Sequence, residues 1–500
     1  MLRGGLRIIP PLWRRLAGHP PFLIPNLFIY TQPRTADVRL QGFGQMSNRV
    51  RLARPAWRLL SVFAVLLLIS TSAPQVFGAD TTLRLATPES VGFSSERLKR
   101  LDDVMQRVVD EKQYAGIVTL VARHGKVVHL SAVGKQDLAS GVPLEKDTIF
   151  RIFSMTKPVT AVAMMILYEE GKWSPQDPLS KFIPQFTDLK VYKGVDAAGK
   201  MLVEEPAHPP TLRELMTMTA GFSYGVEQTP ADRLYRDEQD RNIFVSSSSL
   251  QAVIDRLAKA PLIYQPSNRW LYSLSVDIQG YLIEKLSGMT LPEFMRKRLF
   301  EPLKMADTAF YVPQEKQKRL ATLYRLNDKT KELKVDNFPS NQYDREPAVP
   351  LGGAGLVSTA ADYFRFAQML LNGGELDGVR ILGPQTVKLM MSNHLSDSLM
   401  AEFRGGGFEF NKPRPGIGYG FDGGVITDPG LADMPVGKGS YFWDGAAGTW
   451  FWIDPVNDIV VVGMVQRLYW GIQDQIEGLP PHLEQLSMAT TYQALLRPNL

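Results

Sequence analysis

The 500-residue sequence contains 41 Gly, 35 Pro, 44% hydrophobic and 21% charged residues, an ordinary globular composition that excludes a collagen-like, low-complexity or wholly disordered chain. It contains no Cys, which excludes disulfide frameworks, thiolate nucleophiles and Cys-based zinc or iron–sulfur sites. The length allows two or three domains, or one large enzyme domain with an inserted lobe.

The net charge of +5 is unevenly distributed along the chain. Residues 1–58 contain ten Arg and one acid, Asp37, and so carry +9, whereas the other 442 residues carry −4. Because most of the chain is slightly acidic, no nucleic-acid partner is expected.

An apolar run of about a dozen residues, Leu59–Ser70, follows these Arg residues, and small and polar residues lead from it to Ala79. A basic stretch, an apolar stretch and a small residue at a cleavage position are typical of a secretory signal. We therefore predict a signal peptide at 46–79, a mature protein that begins near Ala79, and a periplasmic or secreted location. The alternative is an uncleaved segment, 59–79, that anchors the protein in the inner membrane.

Met46 stands where the initiator of such a signal is expected. Residues 1–45 are rich in Pro and Arg and have no sustained periodicity. We interpret them as a leader ahead of the true start or as a disordered basic tail. The folded domain is expected at about 85–495.

At the start of this domain, two apolar runs within Ala115–Gly134, joined by Arg123–Lys126, predict a β-hairpin. From Ser154 to Glu170 apolar residues continue for more than four turns and end at Gly171, which predicts a mostly buried helix.

The start of this helix carries an S-x-x-K motif, Ser154-Met155-Thr156-Lys157, which occurs once in the chain. Helical spacing places the Ser154 hydroxyl and the Lys157 amine on one face, close enough to share a proton. Apolar flanks favour a lysine that can act as a base, and N–H groups at a helix start favour an oxyanion. Ser154 is therefore the first candidate nucleophile.

Two other motifs resemble catalytic signatures but lack their context. Gly221–Gly225 matches the G-x-S-x-G of α/β-hydrolases, but a helical rather than a strand-like segment precedes Ser223. Gly194–Met201 resembles a phosphate-binding loop, but Met201 stands where a hydroxyl must hold Mg²⁺. The scattered His residues have no metal-binding spacing, and no dinucleotide fingerprint occurs, so no metal or cofactor is expected.

The middle of the chain, about 172–350, mixes helical stretches with polar and Pro-rich loops and predicts a largely helical lobe. Strand-like runs follow at Trp450–Ile453 and Ile459–Val465, and a helix at about 483–496 closes the domain. This order requires that the two ends of the domain share one sheet beside the lobe.

Together, the motifs resemble the class C β-lactamase-like branch of the penicillin-recognising serine hydrolase superfamily, most closely its carboxylesterases of the esterase B type. The resemblance spans about residues 85–495 and rests on the order of several blocks: Ser154–Lys157, Thr211–Leu215 with Thr219–Gly221, Asn268–Ser273, Phe300–Leu303, Gly352–Asp362 and Trp443–Thr449. It implies an α+β fold of the β-lactamase/transpeptidase type, with an antiparallel sheet flanked by helices and an inserted all-helical lobe.

The resemblance also implies the residues of the site. Ser154 would be the acylated nucleophile, Lys157 the proton acceptor and Tyr272 its partner base. The backbone N–H groups of Ser154 and Ala446 would form the oxyanion hole. Substrate would bind against Trp443, Asp444, Gly445, Leu274 and Gly353.

The sequence departs from the family's lactamases and peptidases at two motifs. Leu274 replaces the Asn of their Tyr-x-Asn, so an amide that would hold a peptide or lactam side chain is missing. Trp443-Asp444-Gly445 replaces their Lys-Thr-Gly, so the cation that grips a substrate carboxylate is missing, and Asp444 also departs from the esterases' Trp-Gly-Gly. An acid here would repel anionic substrates, and Lys438 is a candidate substitute for the missing cation.

We therefore predict an exported serine carboxylesterase that acts on a small molecule, a short-acyl and uncharged ester. The nearest alternative is a β-lactamase or a D-Ala-D-Ala carboxypeptidase. An acyltransferase that uses the same acyl-enzyme and a non-catalytic penicillin-binding sensor module are further alternatives. The oligomeric state is left open.

Overall fold

The computed structural model describes residues 83–236, 247–327, 330–337, 343–402, 414–468 and 483–498. The predicted leader at 1–45 and the predicted signal peptide or anchor at 46–79 lie outside these residues and stay predictions. Within the described ranges, no helix is both long enough and apolar enough to cross a membrane.

The described part of the chain contains both strands and helices, interspersed in the sequence. The strands are β1 Gly116–Arg123, β2 Lys126–Gly134, β3 Phe150–Arg151, β4 Val191–Val195, β5 Met201–Glu204, β6 Tyr324–Leu326, β7 Leu333–Val335, β8 Val357–Ser358, β9 Glu375–Leu376, β10 Val379–Arg380, β11 Ile417–Tyr419, β12 Gly424–Ile426, β13 Tyr441–Asp444, β14 Trp450–Asp454, β15 Ile459–Met464 and β16 Arg467–Leu468. The helices are α1 Ser95–Asp110, α2 Thr156–Glu169, α3 Leu212–Met216, α4 Leu250–Leu257, α5 Ser275–Ser287, α6 Leu291–Met295, α7 Ala360–Leu371, α8 Pro384–Met390, α9 Asp397–Glu402 and α10 Leu483–Tyr492.

The largest sheet is antiparallel and has seven strands in the order β11-β12-β13-β14-β15-β1-β2. The predicted N-terminal hairpin forms β1 and β2, and β1 pairs with β15, with Val118 opposite Met464 and Val121 opposite Val461. The two ends of the domain therefore share one sheet, as the order of apolar runs predicted.

The central strands of this sheet are buried on both faces. Every residue of β1, β14 and β15 is buried, in agreement with their unbroken apolar runs. α7 packs on all three strands, and α1 packs on β1 and β2 with α10 beside it. Gly463 lies opposite Trp450, and a Cβ at Gly463 would meet the indole ring at 2.1 Å. The glycine therefore leaves space for the large Trp450 side chain in the core.

The inserted lobe at about 172–350 is mainly helical, but it is not all-helical as the resemblance implied. It contains α3–α6, and it also contains the hairpin of β4 and β5 and the pair β6–β7. The segment Gly194–Met201, which resembles a phosphate-binding loop, forms the β4–β5 turn, with Val195 paired to Met201. Its glycines and polar residues therefore make a tight turn between two strands.

The packing of α2 brings three distant segments of the chain together. All residues of α2 from Thr156 to Leu167 are buried, and the helix packs along α5. The Gly-rich loop before β8 runs between these two helices. A Cβ at Gly352 would lie 2.5 Å from the Val276 carbonyl of α5, and Thr160 of α2 donates a hydrogen bond of 2.6 Å to the Gly352 carbonyl. The starts of α2 and α5 therefore meet at this loop.

Candidate active site

Ser154 lies in a short 3₁₀ turn between β3 and α2. The residue before it, Phe153, has φ = 41°, a left-handed conformation that is unusual for a bulky side chain. The Phe153 ring belongs to a small apolar cluster with Ala447 and lies edge-on to Tyr343, with ring centroids 6.3 Å apart. Such a backbone conformation costs about 1–3 kcal/mol and persists where the surroundings hold it. The packing thus fixes Ser154 at the point where α2 begins.

Lys157 is fully buried in the first turn of α2. Its Nζ donates a hydrogen bond of 3.1 Å to Ser154 Oγ and another of 2.7 Å to the Gly353 carbonyl. The i, i+3 spacing therefore brings the hydroxyl and the amine into contact, because both point to one face of the helix.

Tyr272 lies in the segment that leads into α5, and its phenol donates a hydrogen bond of 2.6 Å to Ser154 Oγ. Lys157 Nζ lies 4.6 Å from the centroid of the Tyr272 ring, within cation–π distance. Trp270 stacks on this ring at 6.1 Å, and Trp443 packs against it at 5.9 Å. The Ser154 hydroxyl is thus held between an amine and a phenol whose ring is fixed by its aromatic neighbours.

The turn after β13 lies close to the segment that carries Ser154. It is closed by a hydrogen bond of 2.8 Å from the Gly445 N–H to the Thr449 carbonyl. A Cβ at Gly445 would lie 2.4 Å from the Ile152 carbonyl, so glycine is needed for this close approach. Within the described part of the chain, the backbone N–H groups of Ser154 and Ala446 donate to no protein group. Free N–H groups beside a reactive hydroxyl are what an oxyanion hole requires.

The other residues predicted to bind substrate are buried, except for Asp444, which is half-buried. Trp443 is 1% exposed and contributes its ring to the packing around Tyr272. Asp444 is half-buried at the end of β13. Leu274 is fully buried and presents no surface to a substrate, so it is a core residue rather than a wall of the site. Gly353 acts through its backbone, whose carbonyl accepts the hydrogen bond from the lysine.

Two buried carboxyl groups that the sequence analysis did not single out lie behind Lys157. Asp277 is 3% exposed, and its Oδ1 accepts a hydrogen bond of 2.9 Å from the Gly353 N–H. Burial raises the pKa of Asp277 to about 6, although Lys157 and the Gly353 hydrogen bond act to lower it. Burial also raises the pKa of Asp422 well above its usual range, despite a hydrogen bond of 3.1 Å from Gln279. One feature of the sequence could have indicated Asp277: it stands with Gln279 among the apolar residues of α5, where a polar side chain is expected to be buried.

The positions of Lys438 and Ser223 argue against a role for either in the site, as the sequence context already indicated for Ser223. Lys438 precedes β13, whereas Asp444 ends it, and Lys438 lines a groove of about 570 Å³ beside α8 and β12. It therefore lies at the other end of the strand and does not replace the missing cation. Ser223 is fully buried, donates a hydrogen bond to Asp232 and accepts one of 2.9 Å from the Gly225 N–H. It follows α3 and a turn rather than a strand, so the nucleophile context is absent there.

Comparison with known proteins shows similarity over most of the folded domain. The Beta-lactamase family profile matches residues 101–477. Protein Rv1367c of Mycobacterium tuberculosis (strain ATCC 25618 / H37Rv) is 35% identical over 372 residues, 73% of this chain and 88% of that protein. Esterase EstB of Burkholderia gladioli is 27% identical over 388 residues, 75% of this chain and 91% of that protein.

A solved structure shows the same architecture. EstCE1, described as a hydrolase with promiscuous acyltransferase activity, superimposes with a TM-score of 0.64 and 28% identity, over 79% of this chain and 99% of that chain. These similarities confirm the resemblance that the order of motifs indicated, and with it the α+β fold of the β-lactamase/transpeptidase type.

Proposed function

The chain belongs to the beta-lactamase family, and on that premise we propose that it is a serine carboxylesterase that forms an acyl-enzyme on Ser154. The observation that carries the proposal is the contact of Ser154 Oγ with both Lys157 Nζ and the Tyr272 phenol. Similarity to the esterase EstB supports an ester as the substrate.

In the first half-reaction, Ser154 Oγ attacks the carbonyl carbon of the ester. Its proton passes to the pair of Tyr272 and Lys157. Before the reaction this pair holds one proton fewer than the two groups can bind together, so it can accept the proton. The carbonyl oxygen becomes an oxyanion that accepts hydrogen bonds from the N–H groups of Ser154 and Ala446. The bond to the alcohol oxygen then breaks, the alcohol leaves with the proton, and the acyl group stays on Ser154.

In the second half-reaction, water takes the place of the alcohol. Tyr272 accepts a proton from the water, and the resulting hydroxide attacks the acyl carbon. The bond from this carbon to Ser154 Oγ breaks, and Oγ recovers the proton from the pair. The carboxylic acid leaves, and the site returns to its starting protonation state.

The residues around the nucleophile favour uncharged esters. Trp443 stands where the family's lactamases and peptidases have a cation, and its neighbour Asp444, at the end of β13, is an acid. An acid at this place disfavours substrates with a carboxylate, because like charges that face each other cost free energy. The buried Leu274 also offers no amide to a peptide or lactam side chain.

An acyltransferase is the second candidate, and the similarity to EstCE1 favours it because that protein is described as having promiscuous acyltransferase activity. It would use the same acyl-enzyme, with an alcohol in place of water. A test is to add a short alcohol during turnover of p-nitrophenyl butyrate. Formation of the new ester at the expense of butyrate indicates transfer, whereas butyrate alone indicates hydrolysis.

The proposal is tested by labelling the protein with a fluorophosphonate and mapping the modified peptide. We expect the label on Ser154, turnover of p-nitrophenyl butyrate, and little or no turnover of nitrocefin. Ser154→Ala should abolish ester turnover, whereas Ser223→Ala should keep most of it, with thermal unfolding measured for both variants. A label on Ser223, or full activity of Ser154→Ala, would refute the assignment. Dominant nitrocefin turnover would favour a β-lactamase, and a stable acyl adduct without turnover would favour a sensor module.

A further inference from the structure

Lys157 belongs to a series of contacts that leads away from the site. Its Nζ donates to the Gly353 carbonyl at 2.7 Å, and the Gly353 N–H donates to Asp277 Oδ1 at 2.9 Å. Ser154 Oγ, 3.1 Å from the same Nζ, stands at the other end of the series. The Gly353 backbone therefore joins the buried amine that contacts the nucleophile to a buried carboxyl group.

The Gly353 position has no room for a side chain. A Cβ there would lie 2.9 Å from Asp277 Oδ2 and 3.1 Å from the Tyr224 phenol oxygen. The neighbouring Gly352 carbonyl accepts a hydrogen bond of 2.6 Å from Thr160 of α2. The loop is thus held between α2 and α5, with the Asp277 carboxyl pressed against its backbone.

We propose that Asp277 is a positioning residue whose carboxylate, through the Gly353 backbone, fixes the place and the electrostatic surroundings of Lys157 beside Ser154. The inference rests on the proposed function and deepens it. Asp277 reaches the reaction through Gly353 and Lys157, so its removal should change the rate of the chemical step more than the binding of substrate.

Asp277 and Asp422 lie in the same buried region but have different hydrogen-bond partners, Gly353 and Gln279. The charged and titratable groups that face Asp277 are Lys157 on α2, Asp422 before β12, Tyr224 and Tyr343. Burial raises the pKa of Asp277 to about 6, so this carboxyl ionises as the pH rises through about 6. Burial, together with the charge of Asp277, raises the pKa of Asp422 well above its usual range, which favours its neutral form. Ionised Asp277 therefore favours the protonated amine that forms when the pair of Tyr272 and Lys157 takes the proton of Ser154.

This difference provides a matched pair of variants, Asp277→Asn and Asp422→Asn. Both keep the size and an acceptor oxygen, but the first alters the carboxyl group that accepts from the Gly353 N–H, and the second alters one that accepts from Gln279. At pH 8 we expect Asp277→Asn to lower kcat for p-nitrophenyl butyrate roughly 10²-fold, with KM within about threefold. The wild type and Asp422→Asn should lose activity as the pH falls through about 6, since Asp277 becomes protonated there, whereas Asp277→Asn should lack this step.

The rate at which a fluorophosphonate labels Ser154 provides a second readout. We expect this rate to fall in Asp277→Asn at pH 8, and to fall below about pH 6 in the wild type and in Asp422→Asn. Unchanged kcat and pH profile in Asp277→Asn, or equal losses in both variants, would overturn the proposal. Thermal unfolding shows whether Asp277→Asn folds. If it does not, Gly353→Ala is used in its place, because it disturbs the same contacts. An unchanged labelling rate in Gly353→Ala would overturn the proposal. A wild type that is labelled but hydrolyses no ester would refute the esterase assignment, and the labelling rates would still test Asp277.

Discussion

Replacement of Tyr272 by Phe removes a single oxygen atom from the site. The phenol lies 2.6 Å from Ser154 Oγ, whereas the stack on Trp270 and the packing on Trp443 depend on the ring. Lys157 Nζ, 4.6 Å from the ring centroid, also keeps its contact with the ring. The variant therefore tests the oxygen while the aromatic packing stays in place.

The expected effect on the rate is far larger than the effect on stability. Proton transfer by a positioned side chain contributes about 10²–10⁴-fold to a rate. At about 1.36 kcal/mol per factor of ten, this is about 2.7–5.4 kcal/mol of the activation free energy. The loss of one hydrogen bond changes the free energy of unfolding by about 0.5–1.5 kcal/mol. We therefore expect kcat to fall about 10²–10⁴-fold, while the melting temperature changes by less than about 5 °C.

The assay measures kcat and kcat/KM for p-nitrophenyl butyrate together with thermal unfolding. Tyr419→Phe is the matched control, because Tyr419 is a buried tyrosine that packs on Trp270 and Trp443 in the same cluster. We expect this control to keep kcat within about tenfold of the wild type, since the interactions that involve its ring survive. If Tyr272→Phe retained a rate within threefold of the wild type, the phenol would be a packing group and the proposed proton path would be wrong.

Two further predictions concern the oxyanion hole and a buried acid. Gly445→Ala would bring a methyl group to 2.4 Å from the Ile152 carbonyl and so displace the Ala446 N–H. We expect kcat for ester hydrolysis to fall about 10²–10³-fold, as for the loss of one oxyanion donor, and an unchanged kcat would contradict the assigned hole. Burial, assisted by Asp444, raises the pKa of Glu484 to about 8, so its folded form keeps a proton that the unfolded chain releases near the ordinary value of 4.5. The free energy of unfolding therefore falls as the pH rises between these values, and Glu484→Gln removes this dependence. Its melting temperature should match the wild type at about pH 5 and exceed it at about pH 9, and equal differences at both pH values would argue against the assignment.

Local patterns in the sequence predicted much of the fold. The hairpin of β1 and β2, the buried helix α2 and the late strands follow from runs of apolar residues, because such runs are set by neighbours a few residues apart. The contact between Ser154 and Lys157 is equally local, since i, i+3 spacing on a helix decides it. The strands within the inserted lobe were missed, because the short runs at β4 and β5 stand among polar and Gly residues.

The resemblance to a family predicted contacts between distant parts of the chain, which local patterns did not. Tyr272 contacts Ser154 across 118 positions of the chain, and no local periodicity predicts such a contact. The order of motifs supplied Tyr272 and Ala446 as candidates. It also suggested Leu274 as a substrate contact, but the packing of α5 buries that side chain in the core.

The sequence alone thus determined the contact of Ser154 with Lys157, the buried helix that begins beside it and the strands at both ends of the domain, because each depends on neighbouring residues. Only the tertiary structure decided that Gly353 lies between Lys157 and Asp277, and that the turn at Gly445 reaches Ile152. These contacts join segments that are distant in the chain. Their distances depend on how helices, loop and sheet pack as a whole, and close packing permits few such arrangements.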